Sequence, residues 1–228
     1  MIFRQLFDPE SSTYTYLVAD PGTGDAALVD PVREQVERDL KLLADLGLRL
    51  SLVLETHVHA DHVTAAGLLR ERTGARTVAS ERGAPCADLR VNHGETLKLG
   101  QLDVKVLATP GHTDDSLSFL IGDRVFTGDA LLIRGSGRTD FQNGSPEHLW
   151  HSLTQVLFAL PDETLVFPGH DYKGQTVSTI GEEKRHNPRL AGKTREEFIE
   201  LMNNLNLPPP KKLAESVPAN RGCGLPQN

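Results

Sequence analysis

The sequence has few cysteines, no long apolar run and a shortage of positive charge, and each of these excludes a class of protein. Two cysteines in 228 residues, Cys86 and Cys223, are too few for a disulfide scaffold; they form no CxxC pair, and the sequence does not tell whether they are bonded. No apolar run approaches the roughly 18 residues that a membrane span requires. With 24 Lys and Arg against 31 Asp and Glu, the formal net charge is −7, which argues against nucleic-acid binding because phosphate contacts need clustered cations. We therefore expect neither a membrane nor a nucleic acid as partner.

The start of the chain also lacks a targeting signal. MIFRQLFDPESSTYTYLV has neither the apolar core of a signal peptide nor the Arg- and Ser-rich, acid-poor composition of a transit peptide. We therefore expect a cytoplasmic protein. Hydrophobic residues at 38% and charged residues at 24% are typical of a globular enzyme and not of a disordered chain. The length fits a single domain over residues 1–228.

Strand-like and helix-like segments follow one another along the chain, which predicts an α/β protein. The predicted elements are a hairpin with strands near 14–18 and 27–29, a helix from 36 that Gly47 ends, a strand at 48–54, a helix over about 61–72, strands at 76–80, 97–107, 117–121 and 125–127, a helix with Ser145 as N-cap, a strand at 164–167, and a helix that a capping box at Thr194 opens. The 21 residues from Pro208 contain five prolines and no regular period, and we expect them to form an extended tail on the body of the protein.

The segment Thr56–His62 reads THVHADH and carries four candidate metal ligands. Residues two apart on an extended segment point the same way, so His57 and His59 can face one ion. Asp61 and His62 follow at the predicted start of a helix. Because several imidazoles and a carboxylate within six residues would be costly in a core without an ion, this segment indicates a metal site.

Three further candidates follow other predicted strands, each directly after a glycine. His112 lies in TPGHT, Asp129 in FTGDAL and His170 in FPGH. Glycine lets the backbone turn sharply and brings the next side chain to a shared centre. Imidazole and carboxylate ligands suit Zn²⁺, Fe²⁺ or Mn²⁺.

The order HxHxDH, GHT, GD and GH over residues 57–170 resembles the metallo-β-lactamase superfamily. The resemblance implies a four-layer αβ/βα sandwich, in which two mixed β-sheets face each other, helices lie outside and metal binds at one edge. In the binuclear hydrolases of the superfamily, the equivalents of His57, His59 and His112 hold one ion. The equivalents of Asp61, His62 and His170 hold the second, and that of Asp129 bridges the two.

Motifs outside the metal pattern narrow the resemblance. THVHADHVTAAG, RGSGRTDFQNG, PGHDYKG, EEKRHNPRL and NNLNLPPPKKLAESVPAN together are similar to the persulfide dioxygenases. This family implies one Fe²⁺ per subunit, held by the catalytic residues His57, His112 and Asp129, the two-His-one-carboxylate set of non-haem iron oxygenases. His59, Asp61, His62 and His170 then orient these ligands. The implied reaction converts glutathione persulfide, O₂ and water to sulfite and glutathione.

The resemblance also places substrate contacts and leaves alternatives open. It implies that Tyr172 and Arg189 lie in the glutathione pocket, with Arg138 and Thr139 nearby, although Arg138 could instead pair with Asp140 and Arg189 could lie at the surface. One alternative is a binuclear Zn²⁺ hydroxyacylglutathione hydrolase, a thioesterase. Another is a sulfur carrier or redox sensor that uses Cys86 or Cys223. For the assembly, we expect a homodimer.

Overall fold

The computed structural model of the chain describes residues 1–210 and 212–225. The helices are α1 (Val36–Asp45), α2 (Ala66–Thr73), α3 (Pro146–His151, continued by a π-helical segment over Ser152–Leu157), α4 (Ile180–His186), α5 (Arg195–Asn203) and α6 (Leu213–Arg221). The first strands are β1 (Ile2–Asp8), β2 (Thr13–Ala19), β3 (Asp25–Val29), β4 (Arg49–Leu54), β5 (Arg76–Ser80), β6 (Leu89–Val91) and β7 (Thr96–Leu99). The others are β8 (Leu102–Ala108), β9 (Leu117–Ile121), β10 (Arg124–Gly128), β11 (Leu131–Leu132), β12 (Gly135–Ser136), β13 (Leu165–Pro168) and β14 (Ser178–Thr179).

Twelve of these strands form two mixed sheets of six. The first sheet has the order β1-β2-β3-β4-β5-β6, and the second has the order β14-β13-β10-β9-β8-β7. In each sheet an antiparallel hairpin, β2–β3 or β9–β10, lies beside a parallel strand, β4 or β13. The two sheets therefore combine hairpins with crossover connections, as the predicted fold class requires.

Apolar side chains divide the molecule into four layers. Inner faces of both sheets share one core, which includes Tyr16, Val18, Leu54, Phe119, Phe126 and Phe167. The outer face of the first sheet packs on α1 and α2, and the outer face of the second packs on α3, α4 and α5. Because both faces of the central strands are covered, all seven residues of β2 are buried. The four-layer αβ/βα sandwich expected from the sequence is confirmed.

The local signals in the sequence predicted most elements well. The β2–β3 and β9–β10 hairpins form as expected, and Gly47 follows α1 with a φ of 63°. Ser145 caps α3 by accepting from the amide of His148, and Thr194 and Glu197 form the predicted capping box of α5. β1, β6 and α4 were not predicted, because their sequences show no clear period, and the two-residue strands β11, β12 and β14 are too short to show one.

Two boundaries were wrong. The helix predicted over 61–72 begins at Ala66, because the amides of Thr64 and Ala65 donate to Asn220 Oδ1 and to the Pro31 carbonyl instead of to a preceding helical turn. The strand predicted over 97–107 is a hairpin of β7 and β8. Gly100 makes the turn with a φ of 59°, and the apolar alternation on both sides conceals it in the sequence.

The prediction of an extended tail from Pro208 was wrong for Leu213–Arg221, which form α6. The prediction rested on the proline content of this stretch. Three of the prolines, at 208–210, precede the helix, and only Pro218 lies within it. Burial of Ser216 and Asn220 anchors α6 to the body. Lys211 and residues 226–228, which the tail prediction included, lie outside the described residues.

Cys86 and Cys223 are joined by a disulfide that connects the segment after β5 to the end of α6. The two residues are 137 positions apart in the sequence, so the bond closes a long loop of the unfolded chain. Across residues 1–210 and 212–225, none of the helices has both the length and the apolar character needed to cross a membrane.

We expect the double variant Cys86→Ser with Cys223→Ser to lose about 2–4 kcal/mol of unfolding free energy, because the cross-link no longer restricts the unfolded chain. Denaturant unfolding followed by circular dichroism measures the loss. Wild-type protein unfolded with a reductant should match the variant. An unfolding midpoint that reductant leaves unchanged would contradict the prediction.

Candidate metal centre

The candidate ligands lie just beyond the ends of four strands. His57 follows β4 of the first sheet, while His112, Asp129 and His170 follow β8, β10 and β13 of the second. Strand β2 joins the two groups, since the amide of Tyr14 donates to the Gly169 carbonyl at 2.8 Å. The site therefore lies at the edge where the two sheets meet.

Glycines before the ligands act in two ways. Gly128, before Asp129, has a φ of 49°, and a Cβ atom there would lie 2.5 Å from Thr56 Oγ1. Gly169, before His170, has no positive φ, but a Cβ atom there would lie 2.8 Å from Asp129 Oδ1. The chain bends at Gly169 without a positive φ, and the missing Cβ atom allows the close approach to Asp129.

His57, His112 and Asp129 form the first cluster of the site, with ligand atoms within 4.8 Å of one another. The rings of His57 and His112 are 4.9 Å apart and nearly perpendicular. His112 Nε2 lies 3.7 Å from Asp129 Oδ2. Two imidazoles and one carboxylate thus converge at the sheet edge.

Hydrogen bonds fix which ring nitrogens face the centre of this cluster. His112 Nδ1 donates to the Arg138 carbonyl at 2.7 Å, which leaves Nε2 with its lone pair. The Thr56 hydroxyl donates to Asp30 Oδ2 at 2.8 Å, so it accepts from His57 Nδ1 at 3.0 Å. Burial, together with the neighbouring rings of His59 and His112, lowers the pKa of His57 well below its usual value. The Nδ1 atoms of both rings are therefore engaged in hydrogen bonds, which leaves Nε2 of His57 and of His112 to bind an ion.

A second set of residues is linked by charge-assisted hydrogen bonds. His170 Nδ1 donates to Asp129 Oδ1 and His170 Nε2 donates to Asp61 Oδ2, both at 2.7 Å. Asp61 Oδ2 also lies 3.0 Å from His62 Nδ1. Burial would lower the pKa of His170, but the carboxylates of Asp129 and Asp61 outweigh it and raise that pKa well above its usual value. His170 is therefore an imidazolium between two carboxylates.

His59 faces two carboxylates behind the site. Its Nε2 lies 3.2 Å from Asp30 Oδ1 and 3.8 Å from Glu55 Oε2, and all three residues are buried. Burial would lower the pKa of His59, but Asp30, Asp61 and Glu55 outweigh it and raise the pKa to about 9. Nε2 of His59 therefore faces Asp30 and Glu55, although the ring of His59 lies 4.1 Å from that of His57.

The donor set fits a divalent metal. Nδ1 of His59 and Nε2 of His62 are buried without a hydrogen-bond partner, and an ion would supply one. With Asp61, these imidazoles form a second group whose ligand atoms lie within 4.8 Å of one another. Imidazole and carboxylate suit Zn²⁺, Fe²⁺ or Mn²⁺.

The four predicted substrate contacts lie in different surroundings. Tyr172 is 72% exposed and its ring is parallel to that of His170 at 6.1 Å. Arg138 donates to both carboxylate oxygens of Asp140, at 2.6 and 2.7 Å, so the structural pairing weighed from the sequence is present. Thr139 is buried beside it.

Arg189 is half-buried and holds the segment that carries Arg138. It donates to the Ser136 carbonyl at 2.6 Å and lies 3.9 Å from Met202 Sδ, and burial lowers the pKa of its guanidinium. Ser136 precedes Gly137, where a Cβ atom would lie 2.7 Å from His112 Nδ1. Arg189 therefore supports the loop that packs on a candidate ligand.

Sequence reasoning missed several residues of the site. Thr13 Oγ1 lies 3.1 Å from His170 Nε2 and 3.3 Å from both Asp61 Oδ2 and His62 Nδ1. Thr56 and Asp30 orient His57, and Asn220 contacts the loop that carries His59. A hydroxyl or amide at such positions has no spacing signal, although Thr56 and Asn220 lie in motifs that the sequence analysis quotes.

The family model of the metallo-β-lactamase superfamily matches residues 8–85 and 87–170 of this chain. Those ranges contain β2 to β13 and all seven candidate ligands. The match therefore covers the part of the chain that builds the site.

Individual relatives extend the similarity over nearly the whole chain. "Persulfide dioxygenase ETHE1, mitochondrial" of Mus musculus and of Homo sapiens are each 46% identical over 228 residues, 99% of this chain and 89% of theirs. The crystal structure of ETHE1 from Myxococcus xanthus has a TM-score of 0.98 and 67% identity, covering 99% of this chain and 100% of that one. A hydroxyacylglutathione hydrolase of Cereibacter sphaeroides is 39% identical over 71% of this chain and 64% of its own.

The chain belongs to the metallo-β-lactamase superfamily and, within it, to the family of the persulfide dioxygenases.

Proposed function

We propose that this protein is a persulfide dioxygenase, which oxidises glutathione persulfide with O₂ and water to sulfite and glutathione. One observation carries the proposal: relatives with that name are 46% identical to 99% of the chain. The hydroxyacylglutathione hydrolase relative matches 71% of it. The expected set of two imidazoles and one carboxylate is present, and its members lie together.

We propose one Fe²⁺ per chain, held by Nε2 of His57, Nε2 of His112 and Oδ2 of Asp129. When bound there, iron supplies open coordination positions and a change of oxidation state that Zn²⁺ lacks. The choice of iron over zinc follows from the reaction, because both ions accept these ligands.

The other four candidates position the three ligands. His170 holds protons at Nδ1 and Nε2, and its bond to Oδ1 of Asp129 leaves Oδ2 of that carboxylate toward His112. Asp61 fixes His170 from the far side. Since Asp61 already accepts from two imidazoles, it does not need a metal to satisfy its charge.

Substrate contacts belong to the same proposal. Tyr172 offers an exposed ring beside His170, where it can pack on the glutathione moiety. Arg189 contributes positive charge behind the Ser136 segment. Arg138 would have to leave Asp140 to bind a substrate carboxylate, and Thr139 lies buried next to it.

Three further statements made from the sequence stay predictions. These are the single domain over residues 1–228, the cytoplasmic location and the homodimer. The mammalian relatives carry the word mitochondrial in their names. A disulfide such as Cys86–Cys223 is rare in reducing compartments, so the redox state of these cysteines in cells tests the location.

We expect purified protein reconstituted with Fe²⁺ to contain about one iron per chain. It should consume O₂ with glutathione persulfide and release sulfite. An oxygen electrode, a sulfite assay and elemental analysis measure these quantities, and zinc-loaded protein is the matched control, which should take up no O₂. Iron-loaded protein that consumes no O₂ would overturn the proposal.

Substitutions of two carboxylates should separate ligand from neighbour. We expect Asp129→Ala to lose nearly all iron, because one of three ligands is gone. Asp61→Ala should keep most of it and lose about 10–100-fold in affinity or activity, as is typical when a residue that orients a ligand is removed. Iron content by elemental analysis checks both, with the folded state verified by circular dichroism. Equal loss of metal in the two variants would contradict the mononuclear site.

The unpartnered nitrogens of His59 and His62 favour a second candidate function. With Asp61 they could hold a second ion, and two Zn²⁺ would suit a hydroxyacylglutathione hydrolase, because zinc would supply the activated water that thioester hydrolysis needs. Two zinc ions per chain together with turnover of lactoylglutathione would establish this alternative.

A sulfur-carrier function would instead require Cys86 or Cys223, and O₂ consumption by the double serine variant would exclude it.

A further inference from the structure

The loop between β4 and α2 carries four of the seven candidate ligands and has no helix or strand of its own over most of its length. Its backbone is largely buried, so its polar groups need partners from elsewhere. Asp30 Oδ1 accepts from the Thr56 amide at 2.7 Å, and Asp115 Oδ2 accepts from the Val58 amide at 2.9 Å. These contacts fix the first half of the loop.

Asn220, in α6 near the end of the chain, fixes the second half. Its Nδ2 donates to the carbonyls of His59 and His62, both at 2.9 Å, and its Oδ1 accepts from the Thr64 amide at 2.8 Å. Carbonyls only accept and an amide N–H only donates, so these partners determine the orientation of the side chain. Asn220 is 3% exposed, and its amide thus replaces the regular hydrogen bonds that the His59–Thr64 turn lacks.

Contacts between α6 and the rest of the protein fix the position of the Asn220 side-chain amide. Val217 packs on a small apolar cluster of Val58, Ala79 and Ala84. The Cys223 carbonyl accepts from the Gly67 amide of α2 at 2.8 Å, and the disulfide joins Cys223 to Cys86. The position of Asn220 is therefore set by α2 and by the segment after β5, as well as by α6.

The turn that Asn220 holds is in contact with the proposed iron ligands. The rings of His62 and His59 are 4.3 Å apart, and those of His59 and His57 are 4.1 Å apart. Asn220 and His57 also line the same small cavity. A shift of the turn would therefore displace the ring of His59 and, through it, the ring of His57.

We propose that Asn220 is a positioning residue of the metal centre, which fixes the His59–Thr64 turn and, through the packed rings of His62 and His59, the ring of His57. Helix α6 is then a required part of the metal site, although it contributes no ligand. The inference rests on the proposed metal centre, but it does not depend on which metal is native or which reaction follows.

Two substitutions in the full-length protein test the proposal. Asn220→Ala removes all three hydrogen bonds, whereas Asn220→Asp keeps the size and the acceptor for Thr64 but places an oxygen against two carbonyls. With Co²⁺ as the probe, we expect both variants to release the ion to a chelator at least about 10-fold faster than wild type and to change its visible absorption spectrum. Release rates and spectra equal to those of wild type would overturn the proposal.

Two controls separate positioning from a general loss of stability. Ser216→Ala removes a buried hydroxyl one turn earlier in α6 that has no hydrogen-bond partner, and it should leave Co²⁺ release unchanged. The double variant Cys86→Ser with Cys223→Ser weakens the support of α6 but keeps the amide and its three hydrogen bonds, so it should lose stability and release Co²⁺ clearly more slowly than Asn220→Ala. If the double variant releases Co²⁺ as fast as Asn220→Ala, the effect is one of stability and the proposal fails.

A measurement on wild-type protein needs no substitution. Coupling between two sites is reciprocal. If metal binding depends on the His59–Thr64 turn, bound metal should stabilise that turn. We expect Co²⁺ to slow hydrogen exchange at the Thr64 amide and in α6, with α5 as a control helix that does not change. If Co²⁺ leaves the hydrogen-exchange rates in α6 unchanged, the proposal is contradicted. Because no turnover is measured, iron-loaded protein that consumes no O₂ would refute the dioxygenase and leave this test unaffected.

Discussion

The line of hydrogen bonds from Asp61 through His170 to Asp129 holds the site together. Asp61 belongs to the loop after a strand of the first sheet, whereas His170 and Asp129 follow strands of the second. An imidazolium between two carboxylates satisfies charges that would otherwise be costly to bury. Any displacement of one sheet relative to the other would lengthen these bonds, so the packing of the sandwich and the geometry of the site depend on each other.

The candidate ligands could be predicted because their signals are local. Spacing in HxHxDH and a glycine before His112, Asp129 and His170 are visible in the sequence. The partners that orient the rings were not predicted, since the Arg138 carbonyl comes from 26 residues beyond His112 and any residue type supplies a carbonyl. The true start of α2 was missed for the same reason, because a distant side chain takes the amide that a helix would otherwise begin with.

The two hairpins show that position in the fold and chemical role are separate. Asp30 ends the β2–β3 hairpin and Asp129 ends the β9–β10 hairpin, each beside a parallel strand. Asp30 accepts from the amide and the hydroxyl of Thr56 and so orients His57, whereas Asp129 presents an oxygen to the centre. Both hairpins end in an Asp, and the neighbours that folding supplies decide which carboxylate can bind metal.

The C-terminal phrase of the sequence, NNLNLPPPKKLAESVPAN, is not explained by the chemistry of metal ligands. Its last residue, Asn220, is explained by the hydrogen bonds that the buried loop after β4 needs. A buried irregular loop can carry several ligands close together only if its own amides and carbonyls find partners, and a helix or strand would supply those partners at the expense of the ligand geometry. An asparagine from a separate helix meets both requirements, because one side chain offers two donors and one acceptor within a small volume. The need for such a helix arises from the irregularity that lets His57, His59, Asp61 and His62 converge.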